Sequence, residues 1–191
     1  MLKNNDIIPK IGDEEIRQIG HNSSENNFTF LGHKIDEHLN WTYHIRHVRN
    51  KIASSNYFLA RAKNFLPQNI KHILYNTLIR PHLEYGVLAW GGVSKSQLEG
   101  IVKLQKKKAI RNVTGKKYNS HTAPLFLSLR ELNLMDLFKY NSAVFMYKYN
   151  KNLLPSSFND KFVPCNPPNR TNSYKVVTNR ISHSCRRFGM A

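Results

Sequence analysis

Asn40-Trp41-Thr42-Tyr43-His44-Ile45-Arg46-His47-Val48-Arg49-Asn50-Lys51-Ile52 opens a stretch in which apolar side chains return at helical spacing. The series Trp41, Ile45, Val48, Ile52, Leu59, Ala62 and Leu66 steps by 4, 3, 4, 7, 3 and 4. Such a stripe, sustained over about seven turns, predicts one long amphipathic helix with Asn40 as its N-cap. A helix with one apolar face needs partners to cover it, so this stretch sets the fold class.

The partners follow in order. Pro67 ends the first helix, and Asn69 is placed to cap a second that carries Ile70, Ile73, Leu74, Thr77 and Leu78. Pro81 must interrupt that helix, because it lacks a backbone donor and clashes with the preceding turn. Leu83 to Trp90 is apolar and punctuated by Gly86. Ser96-Gln97-Leu98-Glu99 fits a capping box and starts a third helix with Leu98, Ile101, Val102, Ala109 and Val113 inward and Gly115 at its end. A short helix over 123–130 and a fifth from Asn133 or Leu134 to Asn150 complete the pattern. Trp41, Phe58, Phe65 and Trp90 read most simply as core residues, and Tyr85-Gly86 as a tight packing turn. Ahead of the helices, Phe28-Thr29-Phe30-Leu31-Gly32 reads as a strand broken at Gly32 and resumed by His33-Lys34-Ile35. The expectation is a mainly α chain with a short N-terminal β-hairpin followed by a helical bundle.

Charge is segregated along the 191 residues. The net charge is +17, from 29 Lys and Arg against 12 Asp and Glu. Residues 1–37 hold seven of the acids and only four of the bases, so the remainder carries +20. Acids are missing between Glu99 and Glu131 and after Asp160. One-sided charge favours a polyanion partner, nucleic acid first, although a basic face can also serve solubility alone. An apolar fraction of 40% is too high for a disordered basic tail. No apolar run reaches the roughly 18–20 residues of a membrane span, and the polar start lacks a secretory signal. Cys165 and Cys185 cannot build a disulfide framework or a four-ligand zinc site. The expected location is intracellular, nuclear or cytoplasmic, in a reducing compartment.

Catalytic motifs are sparse. The sequence has no Walker-type phosphate loop and no Gly-x-Ser-x-Gly elbow. Asp36-Glu37 can be read as a metal pair, but more simply as acids favouring the positive end of the first helix. His44-x-x-His47 can start a zinc site, but more simply gives two solvated helix histidines. The third helix is more informative. Lys103, Lys107 and Arg111 are spaced i, i+4, i+8 and share one face of an α-helix. Lys106 flanks that face, Lys108 lies on another side, and Lys116 and Lys117 extend the charge past Gly115. Like charges on one face destabilise a helix unless a polyanion relieves them. Nothing in the pattern reads base edges, so contact is expected to follow phosphate and shape.

The order of these segments resembles a known family. It runs Phe30-Leu31-Gly32, then Ile35-Asp36-x-x-Leu39-x-Trp41-x-x-His44-Ile45, then Asn50-Lys51-Ile52 and Leu74-Tyr75. It continues with Leu78-Ile79-x-Pro81-x-Leu83-x-Tyr85-Gly86, Ala89-Trp90-Gly91, Leu104-Gln105-Lys106-x-x-Ala109-Ile110-Arg111 and His121-Thr122-x-Pro124-Leu125-Phe126. Met146-Tyr147-Lys148 and Leu153-Leu154-Pro155-Ser156-Ser157-Phe158 close it. Over about residues 15–163 this set resembles the C-terminal part of a non-LTR retrotransposon reverse transcriptase, of the LINE or jockey-like kind. The resemblance implies a palm remnant with a primer-grip-like segment, Phe30, Leu31 and Gly32, over 1–37. It implies a thumb-like three-helix bundle over 38–117 and a post-thumb helical extension over 118–163. Residues 164–191 depart from the family match, and their basic, polar composition predicts a disordered tail. Lys103, Lys106, Lys107, Arg111, Lys116 and Lys117 become a phosphate-facing surface for duplex or RNA–DNA hybrid.

One departure bears on activity. Enzymes of this kind carry catalytic aspartates upstream, including a Tyr/Phe-x-Asp-Asp turn, and this sequence has no Asp-Asp. Metal-assisted phosphoryl transfer needs such carboxylates. The expectation is a truncated polymerase element, inactive alone, with no cofactor of its own because Mg²⁺ belongs to the absent palm. Its expected partner is nucleic acid without sequence preference, with neither a membrane nor a small-molecule substrate. A helical module recruited for protein contacts and a remnant without function are the alternatives.

Overall fold

A computed structural model of the chain describes residues 10–11, 14–15, 27–159, 161–165 and 173–176, with side chains over 27–159 and 161–162. The chain divides into two units, 1–134 and 135–191. The first holds two short antiparallel β-pairs and a helical bundle. Strand β1 (Lys10–Ile11) pairs with β2 (Glu14–Glu15), and β3 (Phe28–Phe30) with β4 (His33–Ile35). The helices are α1 (Thr42–Ala62), α2 (Gln68–Leu78), α3 (Arg80–Glu84), α4 (Val87–Trp90) and α5 (Lys95–Lys103). A π-helical turn over Leu104–Ala109 leads without a break into α6 (Ile110–Thr114), and α7 (Ala123–Leu129) follows. The mainly helical architecture behind a short hairpin is as expected.

Helix α1 is the axis, packing against α2, α3, α5, the π turn, α6 and β4. It does so through Ile45, Val48, Ile52 and Leu59, four residues of its predicted stripe that are buried. They meet Leu83, Val87 and Trp90 from the segment after Pro81, and Leu98, Ile101, Ala109, Ile110 and Val113 from the third long helix, in one buried apolar core. Pro81 sits in the first turn of α3, where its missing donor costs nothing, and Gly115 closes α6 at φ 68°.

Several local expectations need correction. Trp41, not Asn40, stands at the N-cap of α1, in a left-handed conformation with φ 63° and no side-chain cap. The Asn40 carbonyl instead accepts from Gln97 Nε2 at 3.2 Å. Pro67 rather than Asn69 precedes α2. The capping box starts two residues earlier than expected, with Ser94 at the N-cap and Gln97 at N3. That start leaves Glu99 free to pair along the helix. Phe58 (61% exposed) and Phe65 (86%) are not core residues. Phe58 lies about 100° round the helix from buried Leu59, and Phe65 falls beyond the end of α1. Helix α2 buries Lys71 and Tyr75 rather than the predicted stripe, and Ile70, Ile73 and Leu78 are exposed. The buried polar pair finds partners. Lys71 Nζ donates to Lys63 O at 3.3 Å, at the end of α1, and Tyr75 Oη accepts from Gln105 Nε2 at 3.0 Å.

Gln105 is the polar hub of this unit. It is fully buried, and its amide also donates to Leu132 O at 3.0 Å and accepts from Leu134 N at 2.9 Å. Burial pushes the Tyr75 phenol up to about 12, so it stays protonated beside Gln105. Nearby, the buried Glu131 carboxylate meets His72 Nε2 at 2.8 Å and Arg80 at 3.5 Å. These contacts tie the segment after α7 to α2, α3 and the π turn.

The second unit contains most of α8 (Leu134–Asn150), a 3₁₀ turn over Ser156–Phe158, and strands β5 (Phe162–Cys165) and β6 (Ser173–Val176), paired antiparallel. Phe145, Tyr149, Phe158 and Phe162 pack edge to face there, and Tyr149 Oη donates to Phe162 O at 3.1 Å. Strand β6 falls inside the stretch expected to be disordered, because four residues on each side complete a ladder. The rest of 164–191 beyond Cys165, and most of the expected palm remnant before Asn27, lie outside the described residues.

Replacing Gln105 by Met removes three hydrogen bonds and strands buried polar partners at about 1–3 kcal/mol each. The expected outcome in urea unfolding is a loss of at least about 2 kcal/mol, because two or more buried groups lose their only partner.

Candidate nucleic-acid interface

The residues expected to meet nucleic acid lie in two parts of the first unit, the β3–β4 hairpin and the basic segment from Lys103 to Lys117. In the hairpin, Phe30 pairs with His33, leaving Leu31 and Gly32 as a two-residue turn. Their φ values are 45° and 75°, the positive pair of a type I′ turn. Glycine takes that conformation freely, whereas leucine pays roughly 1–2 kcal/mol. Two hydrogen bonds on the Leu31 carbonyl hold it there. Tyr85 Oη donates at 2.6 Å and His33 Nδ1–H at 3.2 Å. The Leu31 side chain is 71% exposed, and Phe28 and Phe30 on the same strand face are exposed too.

The hairpin is pinned to the bundle by a stack of rings. His33 lies over Tyr85 at 5.0 Å and over His44 at 4.9 Å, with Trp41 edge-on at 6.1 Å. Trp90 closes the stack against His44 at 5.7 Å and donates its Nε1–H to Tyr85 O at 3.0 Å. Gly86, at φ 61°, leaves the space His33 needs, since a Cβ there would lie 1.8 Å from His33 Nε2. The expected tight turn at Tyr85-Gly86 exists, and the ring it admits comes from the hairpin.

His44 is buried at 2% exposure, contrary to the expectation of two solvated histidines. Its Nδ1 accepts from the Lys34 backbone N–H at 3.3 Å, which requires the neutral ring. Burial, then the nearby His33, pushes its pKa down to about 4. Asp36 is not a helix-dipole residue either. It precedes the first turn of α1, and its Oδ1 accepts from His38 N at 3.1 Å and Asn40 N at 3.2 Å, shaping the turn into the helix. Among the described residues no group of three or more His, Cys, Asp or Glu stands together to hold a metal ion.

The basic segment differs in geometry from a straight α-helix. The π turn lies between Lys103 and Arg111, so the i, i+4, i+8 spacing does not place Lys103, Lys107 and Arg111 on one continuous α-helical face. Two of the six expected basic residues are engaged locally. Lys103 Nζ pairs with Glu99 at 2.6 Å. Arg111 donates to Ser120 O at 2.6 Å and to Lys107 O at 3.5 Å and lies over the Tyr118 ring at 5.2 Å, folding the loop after Gly115 back on the helix. The other four, Lys106, Lys107, Lys116 and Lys117, have no carboxylate within 4.0 Å among the described residues, nor has Lys108. Lys107, Lys108, Lys116 and Lys117 are exposed and Lys106 half-buried.

All three acids between residues 38 and 134 act elsewhere. Glu84 pairs with Arg80 at 2.7 Å, Glu131 with His72 and Arg80, and Glu99 with Lys103. The lysine surface is therefore left without local compensation. Lys108 is exposed beside Lys107, because the wider π turn advances each residue by a smaller angle than an α-turn. Spacing rules that assume an uninterrupted α-helix put Lys108 on another side.

No family model, curated protein or solved structure matches this chain. No helix among the described residues is long and apolar enough to cross a membrane.

The ring stack yields two tests. Gly86→Ala brings both left-handed strain and a clash with His33, whereas Gly115→Ala, with nothing within 4 Å of its Cβ, brings strain alone. Gly115→Ala is expected to cost about 1 kcal/mol and Gly86→Ala clearly more, measured by thermal unfolding. For His44 the neutral form is favoured on folding, so its stabilisation is full above pH 6.5 and is lost as pH falls toward about 4. At about 1.4 kcal/mol per pH unit the loss approaches 3 kcal/mol. Urea midpoints across that window should fall steeply for the native chain and much less for His44→Gln.

Proposed function

We propose that this chain binds nucleic acid through the phosphate backbone, with the lysines of the π turn and of the loop after Gly115 as its contact surface. The observation that carries this reading is the run Lys106, Lys107, Lys108, Lys116 and Lys117 without a carboxylate partner, while every acid of the bundle is paired elsewhere. Clustered ammonium groups release counterions from a phosphate backbone, which gives affinity without base readout.

The finer reading follows the family resemblance. The chain is a palm-edge and thumb-like portion of a non-LTR retrotransposon reverse transcriptase and holds RNA–DNA hybrid or duplex. Phe30 and Leu31 at the exposed hairpin tip act as a primer-grip-like contact, positioned by the Tyr85 and His33 hydrogen bonds to Leu31 O. These 191 residues contain no Asp-Asp, so the metal-binding aspartates of that enzyme class are not among them.

A second reading, a helical module for protein contacts, is favoured by one observation. Phe58, Phe65, Ile70, Ile73 and Leu78, from α1, α2 and the loop between them, are each exposed. The two readings separate in one experiment. With four phosphate contacts, affinity for an RNA–DNA hybrid is expected to fall about 10²-fold between 50 and 200 mM salt. Joint reversal of Lys106, Lys107 and Lys108 to Glu should abolish binding, with Arg111 untouched because it holds Ser120. A flat salt response in fluorescence anisotropy overturns the nucleic-acid reading.

A further inference from the structure

The apolar phase of the third long helix slips by one residue. Leu98, Ile101 and Gln105 face the core in one α-helical register. Ile110 and Val113, both fully buried, belong to the next register, since in a straight α-helix Ile110 would stand on the side opposite Ile101. The π turn absorbs the extra residue. Ile110 N–H donates to Gln105 O, five residues back, and both halves of the stripe reach the core.

The extra residue falls in Lys106-Lys107-Lys108, of which Lys107 and Lys108 are exposed and Lys106 half-buried. Within the turn, Leu104 O takes a hydrogen bond from buried Asn56 Nδ2 at 3.4 Å, while Asn56 Oδ1 has no partner. A π turn is a strained one-residue insertion in a helix, and such insertions concentrate at functional sites.

We propose that the π turn is a binding insertion: it adds a lysine to the phosphate-contact surface without moving the core, at a cost in stability. The ligand chemistry is the closely spaced phosphates of one nucleic-acid strand, met by consecutive ammonium groups. This rests on the nucleic-acid reading above.

Deletion and substitution at the same position separate the parts of this claim. Deleting Lys107 removes both the charge and the insertion. The helix then runs as a continuous α-helix, with Ala109, Ile110 and Val113 still inward. Lys107→Ala removes the charge and keeps the π turn. The expected result for the full chain is that both variants lower the salt slope of RNA–DNA hybrid binding by about 1 and weaken it several-fold. The deletion should melt at or above the native temperature, and the substitution should not exceed it. Backbone chemical shifts over 104–109 should turn α-helical in the deletion alone.

A deletion that unfolds the chain or melts below Lys107→Ala overturns the proposal, because the insertion is then needed by the core. A deletion that binds as the native chain does also overturns it, because the added residue then contributes no contact. Native binding that is insensitive to salt removes the nucleic-acid reading and this proposal with it. Steep native binding left unchanged in the deletion removes this proposal alone.

Discussion

Ile110 is buried on the same side as Leu98 and Ile101 because the third long helix widens for one turn between them, where a straight α-helix would turn Ile110 away. Much of the first unit is arranged around that constraint. Gln105, near the start of that turn, lies in the core, and its amide spans α2 and the segment entering α8 through Tyr75, Leu132 and Leu134. Asn56 of α1 reaches across to a carbonyl within the turn. On its outer side the same turn exposes Lys107 and Lys108, with Lys106 half-buried beside them. Core packing and surface charge are thus two consequences of one backbone irregularity.

The hairpin depends on a different interaction, the seating of His33 between Tyr85 and His44 over Gly86. Three requirements meet there. Gly86 must lack a Cβ, His44 must be neutral, and Tyr85 must reach Leu31 O. Together they hold a leucine in a left-handed turn with its side chain in solvent.

Charge placement connects the two regions. A bundle this basic could neutralise its lysines along its helices, as Lys103 does with Glu99. Elsewhere acids are drawn to arginine and histidine, at Arg80 and His72. Only Glu131 is buried among them, and it meets both the His72 ring and the Arg80 guanidinium. The lysines after residue 105 are consequently available to an external anion.

The helical class, the Pro81 break, the Gly115 cap and the short hairpin were legible from local rules. Each depends on backbone chemistry within one or two turns: a missing donor, a left-handed cap, a two-residue turn. The inward face of α1 was legible from periodicity, and so was that of the third helix up to Ile101, whereas buried Gln105 and Ile110 were not. The face of α2 was not. Its apolar residues point to Ile70, Ile73 and Leu78, yet Tyr75 and Lys71 are buried because Gln105 and the end of α1 supply their hydrogen bonds. Those partners are distant in sequence. Composition also showed that the chain is strongly basic, but not which cations are available. Pairing with Glu99, capture of Ser120 by Arg111 and the π turn are decided by three-dimensional neighbours and by a register that a straight-helix rule cannot represent. The amino-acid order thus determined the elements and the sign of the surface, through interactions short in sequence. Tertiary structure alone decided which polar groups go inside and which lysines face out, because burial makes each polar group's location depend on a partner far along the chain.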